Sequence, residues 1–200
     1  MDRATRCVAA LIPLVLCACS SVPTHYYTLL PPAEQRTAPA AAAFAIHIDP
    51  IVVPAEVDQE AWLVRTGASE VTILDNERWA APLGNELHAA FVEALTRELG
   101  AREVDAESST KPKYTVRISV RRFESVPAQY ALIDADWTVR SGGAVALACN
   151  GRVSSNVSAG YAALALGHQQ AVQAIAGQIA TAARSLASHA PACPPDSGGQ

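Results

Sequence analysis

The feature that most constrains the fold is an alternation of apolar and polar residues that recurs in three segments. The segments are residues 114–120, 131–139 and 145–153, and Ser141–Gly143 separates the last two. Alternation with a period of two buries one face of a β-strand and leaves the other face in water. A short glycine-containing loop suits a tight turn between antiparallel strands. We therefore predict three consecutive antiparallel strands that share one buried face.

A helix is predicted between Pro82 and Gly100. Proline is favoured at the start of a helix and glycine just after its end. We expect Glu86, Glu93 and Arg97 on the outer face of this helix. The apolar residues of its buried stripe recur at every fourth position and are Leu83, Leu87, Phe91 and Leu95.

Other segments predict the remaining elements. Residues 168–188 are expected to form a second helix, and residues 44–53, rich in β-branched side chains, a strand. Residues 62–66 and 70–74 suit a short hairpin, and residues 102–104 a short strand. The apolar stripe of the second helix comprises Val172, Ile175, Ile179, Ala183 and Leu186.

The fold class follows from the need of each helix to cover its apolar stripe. Alternating strands offer one apolar face, so the helices are expected on that face. We predict an α+β domain with a mixed or antiparallel sheet of about four to six strands and two helices packed on one face. Residues 44–190 are assigned to this single domain and residues 191–200 to a flexible C-terminal tail.

Residues 1–18 have the features of a secretory signal peptide. Arg3 and Arg6 precede an apolar run of about ten residues, which is too short to span a bilayer of about 30 Å. The run ends in Leu-Cys-Ala-Cys at residues 16–19, which is similar to the lipobox of bacterial lipoproteins. We expect cleavage after residue 18 and acylation of Cys19, palmitate included. The alternative is an ordinary secretory signal whose cysteines have no role.

Acylation of Cys19 would anchor the mature chain to a membrane, because each buried CH₂ contributes about 0.8 kcal/mol. The residue after Cys19 is Ser20, and in enteric lipoproteins a residue other than aspartate at this position generally implies export to the outer membrane. The expected location is therefore the periplasmic face of a Gram-negative outer membrane. Residues 19–43 are rich in proline and are assigned to a lipid anchor and tether. The apolar patch at residues 26–30 is a candidate for docking on the folded domain.

Composition and motifs argue against several function classes. Charged residues make up 17% and hydrophobic residues 50%, which excludes a disordered chain. The net charge is -4 at pH 7, so a nucleic-acid partner is not expected. The chain lacks the sequence motifs of hydrolases, phosphate-binding loops and metalloproteases, and its histidines are scattered. We predict no enzyme activity, no catalytic residues, no cofactor and no metal site, and packing or solvent-exposed roles for His88 and His168.

Two carboxylates and two cysteines have simpler interpretations than catalysis. Asp134 and Asp136 alternate on one strand and are expected to pair with Arg117 and Arg121 on the neighbouring strand. Cys149 and Cys193 would meet an oxidising compartment after export, so they form either a disulfide or two separate thiols.

Three short blocks resemble the PqiC family of ABC-type transport auxiliary lipoproteins. They are Pro-Thr-His-Tyr-Tyr-Thr-Leu at residues 23–29, Arg-Trp-Ala-Ala-Pro-Leu at residues 78–83 and Gly-Tyr-Ala-Ala-Leu at residues 160–164. With the lipobox in front of them, the three blocks occur in the family's order and extend over nearly the whole mature chain. Cys17 in the lipobox and an alanine-rich segment after residue 30 depart from the family pattern.

The resemblance implies a noncatalytic docking subunit of a Pqi-like or Mla-like intermembrane lipid transport system that supports membrane integrity. The implied partners are an MCE-domain protein that spans the periplasm, the outer membrane through the lipid anchor, and further copies of the same chain in a homo-oligomer. Trp79 and Tyr161 are expected to have either a structural or a partner-binding role. The alternative function is a periplasmic carrier that holds a lipid in an apolar cavity between the helices and the sheet.

Overall fold

The computed structural model describes residues 22–32, 44–108, 110, 113–142, 144–188 and 191–195. Residues 1–18 and Cys19, on which the predicted signal peptide and lipidation depend, lie outside the described residues. In chain order the elements are β1 (His25–Tyr27), β2 (Phe44–Ile48), β3 (Ala61–Arg65), β4 (Val71–Trp79), α1 (Leu83–Leu99), β5 (Ala101–Glu103), β6 (Tyr114–Val126), β7 (Tyr130–Ser141), β8 (Ala144–Asn156) and α2 (Tyr161–Ala187).

The larger sheet has the strand order β5-β2-β6-β7-β8. β6, β7 and β8 are antiparallel neighbours, and Ile118, Trp137 and Cys149 lie side by side across them. This arrangement confirms the three strands predicted from the alternating residues. β2 lies parallel to both β5 and β6, which makes the sheet mixed.

The smaller sheet has the strand order β1-β4-β3. β3 and β4 form the predicted hairpin, but β4 continues to Trp79 and pairs there with β1. The hairpin is not an edge of the larger sheet, because it packs over the far end of β6. There the indole nitrogen of Trp62 donates to Ser125 Oγ at 2.9 Å. Residues 123–126 are consequently buried on successive positions, which strict alternation does not predict.

Both helices pack against each other and on one face of the larger sheet, which confirms the α+β class. α1 begins after Pro82 and ends before Gly100, whose left-handed φ of 59° closes the helix. The core between the layers includes the fully buried side chains of Leu87, Phe91, Ile133, Ile175 and Ile179. Among the described residues, no helix combines the length and apolarity that crossing a bilayer requires.

α2 begins at Tyr161, seven residues before the predicted start at residue 168. Residues 161–166 are mostly alanine and leucine, which favour helix. Inside the helix, a Cβ at Gly167 would lie 2.5 Å from a methyl group of Val157 and 2.9 Å from the Cβ of Ala131. Glycine is therefore needed there for α2 to pack closely on β7 and on Val157, which follows β8.

Candidate functional site

The N-terminal strap, defined as residues 22–32, lies on the folded domain in an extended conformation. Its strand β1 pairs parallel with β4, so that Tyr26 is opposite Arg78 and Tyr27 is opposite Trp79. The side chain of Leu29 is buried in the hydrophobic core. The predicted docking of this patch is thus observed, and the folded domain begins before residue 44.

Glu86 in the first turn of α1 receives the strap. Its carboxylate accepts hydrogen bonds from the Thr28 hydroxyl at 2.8 Å and from the Leu29 backbone N–H at 2.9 Å. Only 7% of Glu86 is exposed, so its predicted place on the outer face of the helix was wrong. A carboxylate is also favoured at this position because the N-terminus of a helix carries partial positive charge.

The strap is held at two further places. The side-chain amide of Gln169 on α2 donates to the backbone carbonyls of Thr28 at 2.9 Å and Leu30 at 3.3 Å. On the other side, the Tyr27 hydroxyl donates to the Glu77 carboxylate at 2.5 Å. Burial and this hydrogen bond raise the pKa of Tyr27 to about 12. Each anchoring group belongs to a different element, so the strap joins β4, α1 and α2.

Glu77 also contacts His25, whose Nδ1 lies 2.9 Å from a carboxylate oxygen. Burial alone would raise the pKa of Glu77, but the hydrogen bonds from Tyr27 and His25 hold it below its ordinary value. The carboxylate therefore stays ionised between two strap side chains.

Beneath the strap lies the aromatic seam, defined as Trp62, Trp79, Phe123, Tyr161 and His168. The ring centroids of Trp62 and Trp79 are 4.1 Å apart, and His168 stacks on Phe123 at 3.9 Å. Trp79 is fully buried, and the ring of Tyr161 lies 6.1 Å from that of Trp62. These contacts favour a structural role for Trp79, whereas Tyr161 is partly exposed at the first position of α2.

The three blocks that carry the family resemblance meet at Trp62. Tyr27 from the first block lies 5.1 Å from the Trp62 ring, Trp79 from the second 4.1 Å, and Tyr161 from the third 6.1 Å. The third block comprises Gly160, the N-cap of α2, and the first four residues of the helix. Residues far apart in the sequence therefore form one structural unit, which unites the strap, the smaller sheet and α2.

His168 and Ser125 resemble part of a catalytic pair, but their surroundings do not support one. Ser125 Oγ lies 2.8 Å from His168 Nε2 and also accepts the Trp62 N–H. Nδ1 of His168 has no hydrogen-bond partner among the described residues, where a catalytic triad has a carboxylate. Burial lowers the pKa of His168 to about 3, so this histidine is neutral and packed, as predicted.

Glu124 is a buried charged residue on β6, on the opposite face of the strand from the side chains that contact His168. Its carboxylate pairs with Arg65 and Arg122 and accepts a hydrogen bond from Tyr130 at 2.9 Å. Burial opposes ionisation of Glu124, but these hydrogen bonds hold its pKa below the ordinary value. The cluster joins β3, β6 and β7, and therefore fixes the smaller sheet on the larger one.

The remaining candidate residues have structural partners. Arg121 forms ion pairs with Asp134 and with Asp136, which confirms the cross-strand pairing predicted for these carboxylates. Arg117 pairs instead with Asp49 at 2.9 Å, because β2 lies on that side of β6. In the part of the chain that the structure describes, no three acidic, histidine or cysteine residues are grouped as a metal site would require.

Cys149 on β8 and Cys193 form a disulfide in the structure, with their Cα atoms 5.7 Å apart. This bond attaches the described part of the C-terminal tail, residues 191–195, to the edge strand of the larger sheet. The assignment of this part of the tail as flexible was therefore wrong. His88 has a packing role as well, because its Nε2 lies 3.2 Å from the carbonyl oxygen of Ile48.

The model of the family described as the ABC-type transport auxiliary lipoprotein component matches residues 27–180. The chain belongs to this family. The match begins at the end of β1 and ends within α2, so it covers the strap from Tyr27 onward and all residues of the aromatic seam. It confirms the resemblance read from the three sequence blocks, and it confirms the coarser function of a lipoprotein that assists transport.

Solved structures share the fold of this auxiliary lipoprotein. One is the crystal structure of an uncharacterized protein, with 17% identity, a TM-score of 0.66, and coverage of 80% of this chain and 98% of that chain. Another is a Xanthomonas campestris protein of the family DUF330, with 18% identity, a TM-score of 0.65, and coverage of 83% and 99%. No curated protein matches the chain.

Proposed function

We propose that this auxiliary lipoprotein is a noncatalytic docking subunit of an MCE-type intermembrane lipid transport system. Acylated Cys19 holds it at the periplasmic face of the outer membrane, where it receives the far end of a periplasm-spanning MCE-domain protein. The family match over residues 27–180 is the observation that carries the proposal. A homo-oligomer of the lipoprotein would suit a tubular partner and is part of the same proposal.

The structure supports a docking role in preference to a lipid carrier. A carrier needs an apolar cavity between helices and sheet, but Leu87, Phe91 and Ile175 fill that space and are fully buried. Two depressions of about 430 and 240 Å³ lie elsewhere. The first is lined by residues of β6, β7, β8 and Cys193. The second lies between β3 and β6 and is lined by apolar side chains such as Leu63 and Phe123 together with arginines and Glu124. Both depressions are open to solvent and include charged side chains, whereas an acyl chain is held in an enclosed apolar cavity.

The proposal is tested by crosslinking the tagged full-length lipoprotein in living cells and identifying captured proteins by mass spectrometry. Cys19→Ala is the unanchored control. We expect an MCE-domain protein among the products, with a reduced yield from the control, and a ladder of self-crosslinked species. Recovery of the lipoprotein alone, or with unrelated envelope proteins, would reject the docking function. Phospholipid extracted in stoichiometric amount from the purified protein would instead favour the carrier.

A further inference from the structure

The docked strap limits how far the folded domain can lie from its lipid anchor. Val22 is the first described residue, and three peptide units separate it from Cys19. A fully extended chain spans at most about 3.6 Å per residue, so the Cα atoms of these residues lie within about 11 Å. If residues 19–43 were a free tether, the reach would be several times longer. Attachment of β1 to β4 therefore keeps the domain against the membrane that holds the acyl chains.

The strap exposes apolar side chains on this side of the molecule. Val22 is 68% exposed and Tyr26 is 64% exposed, although both lie in an ordered segment close to the anchor. Tyrosine is favoured at membrane interfaces because its ring is apolar and its hydroxyl can reach water. Exposed side chains of this kind within reach of a bilayer can insert at the level of the headgroups.

A cation lies beside the exposed tyrosine. Arg78 on β4 is opposite Tyr26 in the register of the smaller sheet. Its guanidinium donates to the backbone carbonyl of Asp75 at 3.4 Å and forms no ion pair with a carboxylate among the described residues. An arginine without a carboxylate partner can bind the phosphate of a phospholipid headgroup.

We propose that the strap surface, defined as Val22, Tyr26 and Arg78, lies on the phospholipid headgroups of the membrane that carries the anchor. The inference rests on the proposed function, because it requires acylated Cys19. The contact is too small to bind membranes alone, but the anchor supplies a high effective concentration of lipid. The strap surface would then fix the orientation of the domain, so that the opposite end points into the periplasm.

The test uses a photoreactive benzoylphenylalanine at position 26 of the full-length acylated lipoprotein, reconstituted in vesicles of phosphatidylethanolamine and phosphatidylglycerol. Ile73 is the matched control position, because it lies on the same strand as Arg78, five residues away, and is 52% exposed. After irradiation, mass spectrometry measures lipid adducts at each position. We expect roughly fivefold or more lipid adduct at position 26 than at position 73, because the anchor holds position 26 near the headgroups.

The same spectra separate failure of this inference from failure of the anchor. The mass of the N-terminal peptide reports whether Cys19 is acylated, and loss of acylation would overturn both proposals. Acylated protein with equal lipid adducts at positions 26 and 73 would overturn the strap surface alone. Arg78→Gln should also lower the adduct at position 26, and an unchanged yield would reject the role of its guanidinium. Equal thermal unfolding of all variants confirms that the exposed substitutions leave the fold intact.

Discussion

The strap and the β6–β8 sheet belong to the same domain but are held in different ways. Across β6, β7 and β8, continuous antiparallel pairing and apolar packing under α2 distribute the stabilising contacts over many residues. The strap depends on a three-residue strand, the buried side chain of Leu29 and hydrogen bonds from a few distant side chains. The sheet can therefore tolerate the loss of one contact, whereas the position of the strap depends on single residues.

Removing the indole of Trp79 should have the largest effect, because the aromatic seam joins the strap to the rest of the domain. Truncation of a buried tryptophan to alanine costs about 3 to 5 kcal/mol. We expect Trp79→Ala to lower the free energy of unfolding, measured by urea titration, by this amount. Tyr26→Ala is the matched control on the adjacent exposed position and should stay within about 0.5 kcal/mol of the unsubstituted protein. Equal losses in the two variants would show that the seam is not structurally central.

Removing the disulfide should cause the next largest loss of stability, and it tests how the β6–β8 sheet is stabilised. Cys149 and Cys193 are 44 residues apart. Closing a loop of this length should stabilise the folded state by about 3 to 4 kcal/mol. We expect Cys149→Ser with Cys193→Ser to lower stability accordingly, and dithiothreitol to destabilise the unsubstituted protein but not the double variant. Alkylation of both thiols without prior reduction would show that the bond does not form.

Glu86 tests how strongly the strap depends on one side chain. Glu86→Ala leaves the Leu29 N–H and the Thr28 hydroxyl without their acceptor, at a cost of about 1 to 3 kcal/mol. We expect faster proteolytic cleavage before residue 44 than in the unsubstituted protein, while the sheets and helices are cleaved more slowly than this segment. Glu86→Gln, which keeps an acceptor oxygen, should recover most of the protection. Uniform proteolysis of the whole domain would contradict a local role.

The same difference explains what the sequence could reveal about the fold. Alternation identified β6, β7 and β8, and Pro82 with Gly100 bounded α1, because these signals are local and repeat along the element. The start of α2 was predicted seven residues too late, and the close packing of Gly167 inside α2 against Val157 and Ala131 is a contact that only the folded sheet provides. Regular elements were therefore predictable, but the close contacts between them were not.

The candidate site was much less predictable than the fold. Glu86 lies between Leu83 and Leu87, and the apolar periodicity of the helix does not predict that a glutamate at this position is buried. Its partner Thr28 is 58 residues away, and Gln169 reaches the same residue across 141 positions. Trp79 and Tyr161 were identified only through the family resemblance, and Trp62, which joins them, lay outside every block. Single hydrogen bonds and ring contacts at such separations leave no pattern in one sequence.

The last prediction concerns His168, which lies where the two regions meet. Burial lowers its pKa from 6.5 to about 3, so the folded protein keeps it neutral while the unfolded chain binds a proton below pH 6.5. The free energy of unfolding should therefore fall with decreasing pH, by about 1.4 kcal/mol per pH unit below 6.5 until the folded pKa is reached. Glu124 acts in a lower pH window. Its contribution to stability is complete above the ordinary carboxyl pKa and is lost as the pH falls from there toward the lowered pKa of the folded state.

Urea titrations at pH 7 and pH 5 isolate this histidine. We expect a loss of about 2 kcal/mol over that interval, and His168→Gln should remove most of it. The amide of glutamine can still hydrogen-bond to Ser125, but it does not titrate. Contributions from other groups are common to both proteins and cancel in the difference. Identical pH dependence in the two proteins would mean that His168 is protonated in the fold, and that water reaches the aromatic seam where strap and sheet meet.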